Sequence, residues 1–176
     1  LEAESDRSSK VMRNLGYYDF NKNHYFYEAD TLSVPGNALL KVTINEYTRN
    51  ESPRDASPIR RFYIDSVNIS YPKSLNISEK VLEDLTTIAP GQVYNETAVN
   101  TTYNRLSALK IFSTVNIGMT QKDTNLVNCD ITMNQSKLQG FKVNVEASTN
   151  SSGLFGISPQ LSYYHKNIFR GGETLN

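Results

Sequence analysis

YNRLSALKIFSTVNIGM, Tyr103 to Met119, changes its hydrophobic period halfway along. Up to Leu109, the residues Val99, Tyr103, Leu106 and Leu109 recur every three or four positions, as on one face of a helix. From Ser113 on, Val115, Ile117 and Met119 alternate with Thr114, Asn116 and Gly118, as in a strand. Only about three residues separate the two periods. The handover from helix to strand is unusually short. A longer loop would cost closure entropy and loosen a core that is already small.

Outward from that stretch, residues 60–138 read as a complete β-α-α-β-β unit. RRFYIDSVNISY is a strand carrying Ile64, Val67 and Ile69. ISEKVLEDLTTI is a short helix with Ser78 as N-cap and Glu79 in the first turn, where the helix dipole favours it. Pro90-Gly91 marks a turn, and NETAVNTTYNRLSAL is the second helix, capped by Asn95. After Ser113–Thr120, KDTN turns the chain into LVNCDITMN, with Val127, Cys129, Ile131 and Met133 on one face.

Residues 1–59 resemble the tail of that unit. Val11, Met12 and Leu15 have helical spacing behind SSK, and Gly16 ends the helix. YYDFNKNHYFYEA reads as a strand, TLSVPGN as a turn at Pro35-Gly36, and ALLKVTINEYT as a second strand. RNESPRDASP reads as a linker. Met12-x-x-Leu15 before Tyr17-Tyr18 matches Leu106-x-x-Leu109 before Ile111-Phe112, so this part is expected to be the same module without its opening strand and helix. A helix followed by a hairpin is also a common arrangement in its own right.

Residues 139–176 have no helical period. In GFKVNVEAST, Phe141, Val143, Val145 and Ala147 alternate with Lys142, Asn144, Glu146 and Ser148. NSSGLFG is a loop, ISPQLSYYHK alternates again, and NIFRGGETLN turns at Gly171-Gly172 towards a third strand. Each run is about ten residues, the length a tilted strand needs to cross a bilayer. A hairpin of a soluble sandwich would give the same pattern.

Composition narrows the classes. Eighteen basic and eighteen acidic residues cancel, which gives no electrostatic case for nucleic acid or an anionic membrane surface. The single cysteine, Cys129, allows no internal disulfide, and this does not fix the compartment. No apolar run reaches about 18 residues, so no helix is expected to span a membrane. The start at Leu1, without Met or leader, reads as a piece of a longer protein.

No constellation supports catalysis. His24 and His165 are far apart and read as hydrogen-bonded surface residues, Cys129 as core, and Glu83-Asp84 as a solvated helix face. Metal-ligand spacings, phosphate loops and nucleophile motifs are missing from the sequence, so no cofactor or metal is expected. Seven Asn-x-Ser/Thr sequons reflect the abundance of those residues, and Asn95 is better used as a helix cap.

With these motifs in place, the chain resembles the polypeptide-transport-associated (POTRA) domain of BamA/TamA-type outer-membrane assembly proteins. The resemblance rests on Pro90-Gly91, Tyr94, Leu106, Leu109, Ile111, Phe112, Val115 and Ile117, and it is closest to the TamA-like branch of Bacteroidota. Asn167, Ile168, Phe169, Gly171 and Glu173 are similar to a turn after the second barrel strand in that family, with Ile168 in place of the usual Leu. The fold class it implies is α+β: tandem POTRA-like units, two helices on a three-stranded mixed sheet, then the first strands of an antiparallel outer-membrane barrel. The boundaries are 1–59, 60–138 and 139–176.

The resemblance also implies a function. The protein would be a non-enzymatic assembly or translocation factor of the outer membrane, with residues 1–138 in the periplasm of a Gram-negative bacterium. Its partners would be unfolded outer-membrane protein clients, a periplasm-spanning inner-membrane partner or lipoprotein, and outer-membrane lipid through the barrel, with no nucleic acid. Clients would add a strand to the sheet edge Thr114, Val115, Asn116, Ile117, Gly118 and Met119, or to the equivalent edge at about Tyr17–Tyr27. Such an edge can equally be solvated or covered by a neighbouring unit. The first barrel strand, Phe141, Lys142, Val143, Asn144, Val145 and Glu146, would be the gate where clients join. A soluble periplasmic or surface adhesion module without a barrel is the alternative.

Overall fold

The structure is a computed structural model describing residues 1–33, 36–48, 56–57, 59–149, 153 and 155–175. The chain forms two compact units. One holds Leu1–Val67, Ile88–Asn100 and Met119–Cys129; the other holds Asn68–Thr87, Thr101–Gly118 and Asp130–Asn176. The division runs through a three-stranded sheet whose strands contribute residues to both.

In the first unit, helix α1 spans Glu2–Asn14 and begins well before the SSK that the sequence offers as its lead-in. Glu2 and Glu4 occupy the first turn, where the helix dipole favours acidic groups. Its buried face is small and polar, Ser5 and Ser9, while Val11 and Leu15 are half-exposed. Small side chains let the helix approach closely, and Ser5 Oγ meets the Tyr27 hydroxyl at 2.5 Å. The helix ends at Gly16, with φ +104°. The Gly16 N–H donates to Arg13 O and the Tyr17 N–H to Met12 O, which satisfies the last carbonyls in a Schellman arrangement.

The strand expected from Tyr17 starts only at Tyr25. Tyr17–Phe20 leave the helix as a turn. Asn21 then caps a single 3-10 turn, Lys22–His24, accepting from Asn23 N while His24 Nδ1 accepts from Asn21 N. Phe20 is buried and stacks on His24 with centroids 4.5 Å apart. His24 is therefore a fully buried turn residue, not the surface residue read from the sequence. Strand β1 (Tyr25–Asp30) pairs antiparallel with β2 (Leu39–Ile44). The short strands β3 (Tyr47–Thr48) and β4 (Ala56–Ser57) also pair, so the reading of 49–58 as linker fails at Ala56–Ser57. Most of that linker, Val34-Pro35 of the first turn and most of the 150–156 loop lie outside the described residues.

Strand β5 (Tyr63–Ser70), helices α2 (Glu79–Leu85) and α3 (Glu96–Ala108), and strands β6 (Phe112–Gln121) and β7 (Leu126–Gln135) follow in the expected order. The sheet order is β5-β7-β6. Tyr63 N–H bonds Asn125 O, and Asn68 bonds Asp130 with the same 62-residue offset, so β5 and β7 run parallel. The hairpin β6-β7 makes the sheet mixed. Asn95 caps α3 through its Oδ1 to Ala98 N at 2.9 Å, as its type and place predict. Ser78 holds the N-cap position of α2 but makes no side-chain capping bond.

Asn14 acts as a second cap from a distance. Its Oδ1 accepts from Thr97 N at 2.9 Å and from Thr97 Oγ1 at 3.0 Å, while its carbonyl accepts from Asn95 Nδ2. Arg13 pairs with Glu96 at 2.8 Å beside it. Tyr18 makes edge contacts to Phe62 and Tyr94, and Phe62 N–H donates to Gly16 O. These aromatics, with Ile64, Ile88, Val127 and Cys129, form the core of the first unit.

Burial pushes the Tyr94 phenol up to about 12, with the Glu96 carboxylate adding to the effect. Its ordinary value is 10.0, so folding favours the neutral phenol. That stability is fully present below pH 10 and is lost as pH rises from 10 towards 12, about 2–3 kcal/mol in all. Urea titrations across this window should show a steeper alkaline loss in the wild type than in Tyr94→Phe. Equal slopes would sink the assignment.

In the second unit, Leu75, Ile77, Leu82, Thr102, Leu106, Ile111, Phe112, Ile131 and Met133 are buried. Lys110, at φ +56°, turns α3 out of the helix just before β6. Leu15-Gly16 and Leu109-Lys110 thus end α1 and α3 in the same way. The strand that follows differs: β1 starts only at Tyr25, whereas β6 starts at Phe112, shortly after α3. Three residues after β7, strand β8 (Gln139–Thr149) begins. It pairs antiparallel with β9 (Phe155–Lys166), and β9 with β10 (Thr174–Leu175).

Candidate functional site

Two features of the second unit stand open: the outer edge of β6 and the hairpin β8-β9. The register of β6 decides which backbone groups the edge offers. Lys122 N–H donates to Leu126 O at 2.9 Å near the turn, and Asn134 Nδ2 donates to Thr114 Oγ1 at 2.9 Å near the far end. Both pairs belong to one uninterrupted antiparallel register. Antiparallel alternation then directs the even-numbered residues towards β7 and turns the N–H and C=O of Ser113, Val115, Ile117 and Met119 outward.

Sequence reading placed the edge at Thr114–Met119. Within it, Met119 O already accepts from the Tyr18 hydroxyl at 3.3 Å, so the outward groups free of that contact are those of Ser113, Val115 and Ile117. Thr114 is tied to Asn134, Asn116 and Gly118 turn their backbone inward, and Val115 and Ile117 are half-buried. Beside the edge lies a groove of about 310 Å³, lined by Tyr103 and Ser107 of α3 and by Phe112, Ser113, Thr114 and Val115 of β6. Tyr103 and Ser107 were legible only as helix residues. Nothing in the local pattern shows that they flank a strand edge.

Beyond its base the hairpin separates most of its side chains into an apolar and a polar face. The cross-strand pairs Phe141–Tyr163, Val143–Leu161, Val145–Pro159, Ala147–Ile157 and Thr149–Phe155 share one face. Lys142–Ser162, Asn144–Gln160, Glu146–Ser158 and Ser148–Gly156 share the other. Phe141 is 76% exposed, Leu161 74% and Val145 65%, so the apolar face is uncovered among the described residues. Lys166 N–H donates to Leu138 O, which sets the ladder so that Pro159 turns its missing donor away from β8. The same ladder leaves the backbone of Phe141, Val143 and Val145 outward on the open edge of β8. At the base, the Tyr164 ring lies over Gly140, where a Cβ would meet its hydroxyl at 2.7 Å.

The residues weighed for chemistry sit elsewhere. Cys129 is fully buried in the core and Glu83-Asp84 are exposed, both as read. His165 stands opposite Gln139 at the hairpin base. Among the described residues, no group of His, Cys, Asp or Glu could hold a metal ion, and no helix is long and apolar enough to cross a membrane.

Residues 62–136 match the family model described as POTRA, surface antigen variable number repeat. No match is found among curated proteins. Among solved structures, the chain is similar to BamA from Haemophilus ducreyi lacking POTRA domains 1–3, with 13% identity and a TM-score of 0.61 over 98% of this chain. It spans 29% of the length of that structure. It also matches POTRA3–5 of BamA from Haemophilus influenzae, with 12% identity and a TM-score of 0.48, over 76% of this chain and 47% of that one. A further match is POTRA1–3 of the periplasmic domain of Omp85 from Anabaena, with 16% identity and a TM-score of 0.38, over 75% and 49%. At these identities the first likeness speaks for the fold: a POTRA-like α+β unit with a mixed sheet.

Proposed function

We propose that the chain is the periplasmic POTRA arm and barrel start of a BamA/TamA-type outer-membrane protein assembly or translocation factor. The observation that carries this is the two-faced hairpin, which follows directly on the segment matching the POTRA family. Strands of 11 and 12 residues suit a tilted bilayer crossing. Their open apolar face is a liability in water and an asset against lipid chains. On this reading Phe141, Val143, Val145 and Leu161 face lipid, and Lys142, Asn144 and Glu146 face the barrel interior.

The work is physical, with no catalytic step. An unfolded client pairs as an added strand with the outward groups of Ser113, Val115 and Ile117, through backbone bonds that do not depend on client sequence. Its side chains rest in the groove beside Tyr103. The open edge of β8 is where a client strand joins the barrel. A periplasm-spanning inner-membrane partner or lipoprotein would meet the same arm. The motif Asn167-Ile168-Phe169-x-Gly171-x-Glu173 supports the barrel start of this family, and the TamA-like branch of Bacteroidota is the branch proposed.

Ile117→Pro tests the edge selectively. It removes an outward N–H that β7 does not use, so the fold should tolerate it. Client capture is expected to fall about five- to tenfold. Photocrosslinkers at Lys142, Asn144 or Glu146 should in turn trap a stalled client. Unchanged capture by folded Ile117→Pro would remove the edge from the mechanism. Absence of crosslinks at all three hairpin positions in the intact protein would remove the gate.

A further inference from the structure

We propose that the turn Asn167–Glu173 is a clasp that locks the two-faced hairpin onto the α/β part of the second unit, so that the open edges of β6 and β8 keep one fixed geometry. The proposal deepens the functional reading above and rests on it for the meaning of the two edges. Covalently, only Ser136, Lys137 and Leu138 join β7 to β8. A three-residue connection by itself would let the hairpin swing. The turn bonds to the loop before α2 and packs closely on the exit of α3, where Lys166 at the end of β9 and Ser136 of the connection add bonds of their own.

At the first place, Asn167 is buried with φ +63°, a conformation that Asn tolerates better than most residues. Its Nδ2 donates to Asn76 O at 2.9 Å, and its Oδ1 accepts from Gly172 N at 3.1 Å. Ser78 N donates to Arg170 O at 3.2 Å. The Arg170 guanidinium lies beside the Asn76 side-chain amide, whose oxygen would accept from Nε and Nη2 at 3.0 Å with the amide turned over. At the second place, Gly172, with φ +78°, lies so close to Leu109 that a Cβ would come within 2.8 Å of its Cδ2. Lys166 Nζ donates to Lys110 O at 2.9 Å, and Ser136 N donates to Ile111 O at 2.8 Å.

Glu173 braces the turn from within. Its carboxylate accepts from Phe169 N and from Gly171 N, and its carbonyl accepts from Asn167 N at 2.7 Å. The result agrees with the division of the chain: groove, clasp and hairpin all fall in one compact unit.

The test measures distance. Spin labels at Arg105→Cys on α3 and Ser148→Cys on β8, both exposed positions, are read by pulsed electron resonance in the intact protein in lipid. Cys129 is buried and out of reach of the label. The expected result is one narrow distance distribution. Asn167→Gly keeps the left-handed backbone and removes only the side-chain bonds. It should broaden the distribution about two-fold while circular dichroism stays unchanged. Gly172→Ala should do the same by pushing the turn off Leu109. A broad distribution already in the unmodified protein, or no broadening in either variant, overturns the clasp. Narrow distances with no client crosslinking would instead refute the functional reading and leave the clasp standing.

Discussion

Leu106→Ala is expected to lower the unfolding free energy by about 3 kcal/mol. Leu106 is 0% exposed and lies one helical turn after buried Thr102 on α3. It belongs to the core of a small unit, with Leu82, Ile131 and Met133. Small units bury a modest share of their surface and hold about 5–15 kcal/mol in reserve. Removing three carbons from such a core deletes both transfer energy and packing that neighbours cannot restore. Urea unfolding should show the midpoint moving down with little change in slope. Ala108→Ser, at an exposed position on the same helix, should stay within about 0.5 kcal/mol and serves as the control. A loss below about 1 kcal/mol for Leu106→Ala would mean that α3 is not seated as described.

Gly16→Ala is expected to cost about 3 kcal/mol, through two causes that can be separated. The first is conformational: φ +104° is open to glycine and costly for any residue with a Cβ. The second is space, since a Cβ there would overlap Cγ1 of Val93 and press on Arg61 Cγ at 3.4 Å. Gly16 also carries the carbonyl that accepts from Phe62 N, so any shift reaches the aromatic core of the first unit. Adding Val93→Ala should recover the steric part and leave the conformational part. If the double variant is no more stable than Gly16→Ala, overlap with Val93 is not a cause. If Gly16→Ala itself is neutral, the turn after α1 has another conformation.

Much of this architecture was legible because burial repeats with a fixed period inside each element. The two periods of Tyr103–Met119 located α3 and β6, and the alternation of Phe141–Ala147 located β8 and its two faces. Asn95 was legible as a cap because its chemistry acts within three residues. The reading failed where chemistry reached further. Tyr17 and Tyr18 look like strand residues because aromatics favour strands. They are instead spent in a turn, where Tyr18 packs on Phe62 and Tyr94, 44 and 76 positions away. Ser5 and Ser9 look like solvent residues and form the buried face of α1, because close approach favours small side chains over apolar ones.

By itself the sequence determined the order of elements over residues 60–138, the end of α1 at Gly16 and the alternation of the hairpin strands. Each of these depends on neighbours within about a turn or a strand. Tertiary structure alone decided that Tyr18 covers the Met119 carbonyl 101 residues away and that Asn167 reaches the Asn76 backbone 91 residues away. Those choices set which groups of the edge are free and what holds the hairpin in place. They are absent from local periodicity because a hydrogen bond between distant residues leaves no repeat in the chain. It is selected only when the whole fold brings donor and acceptor within reach and leaves no better partner for either.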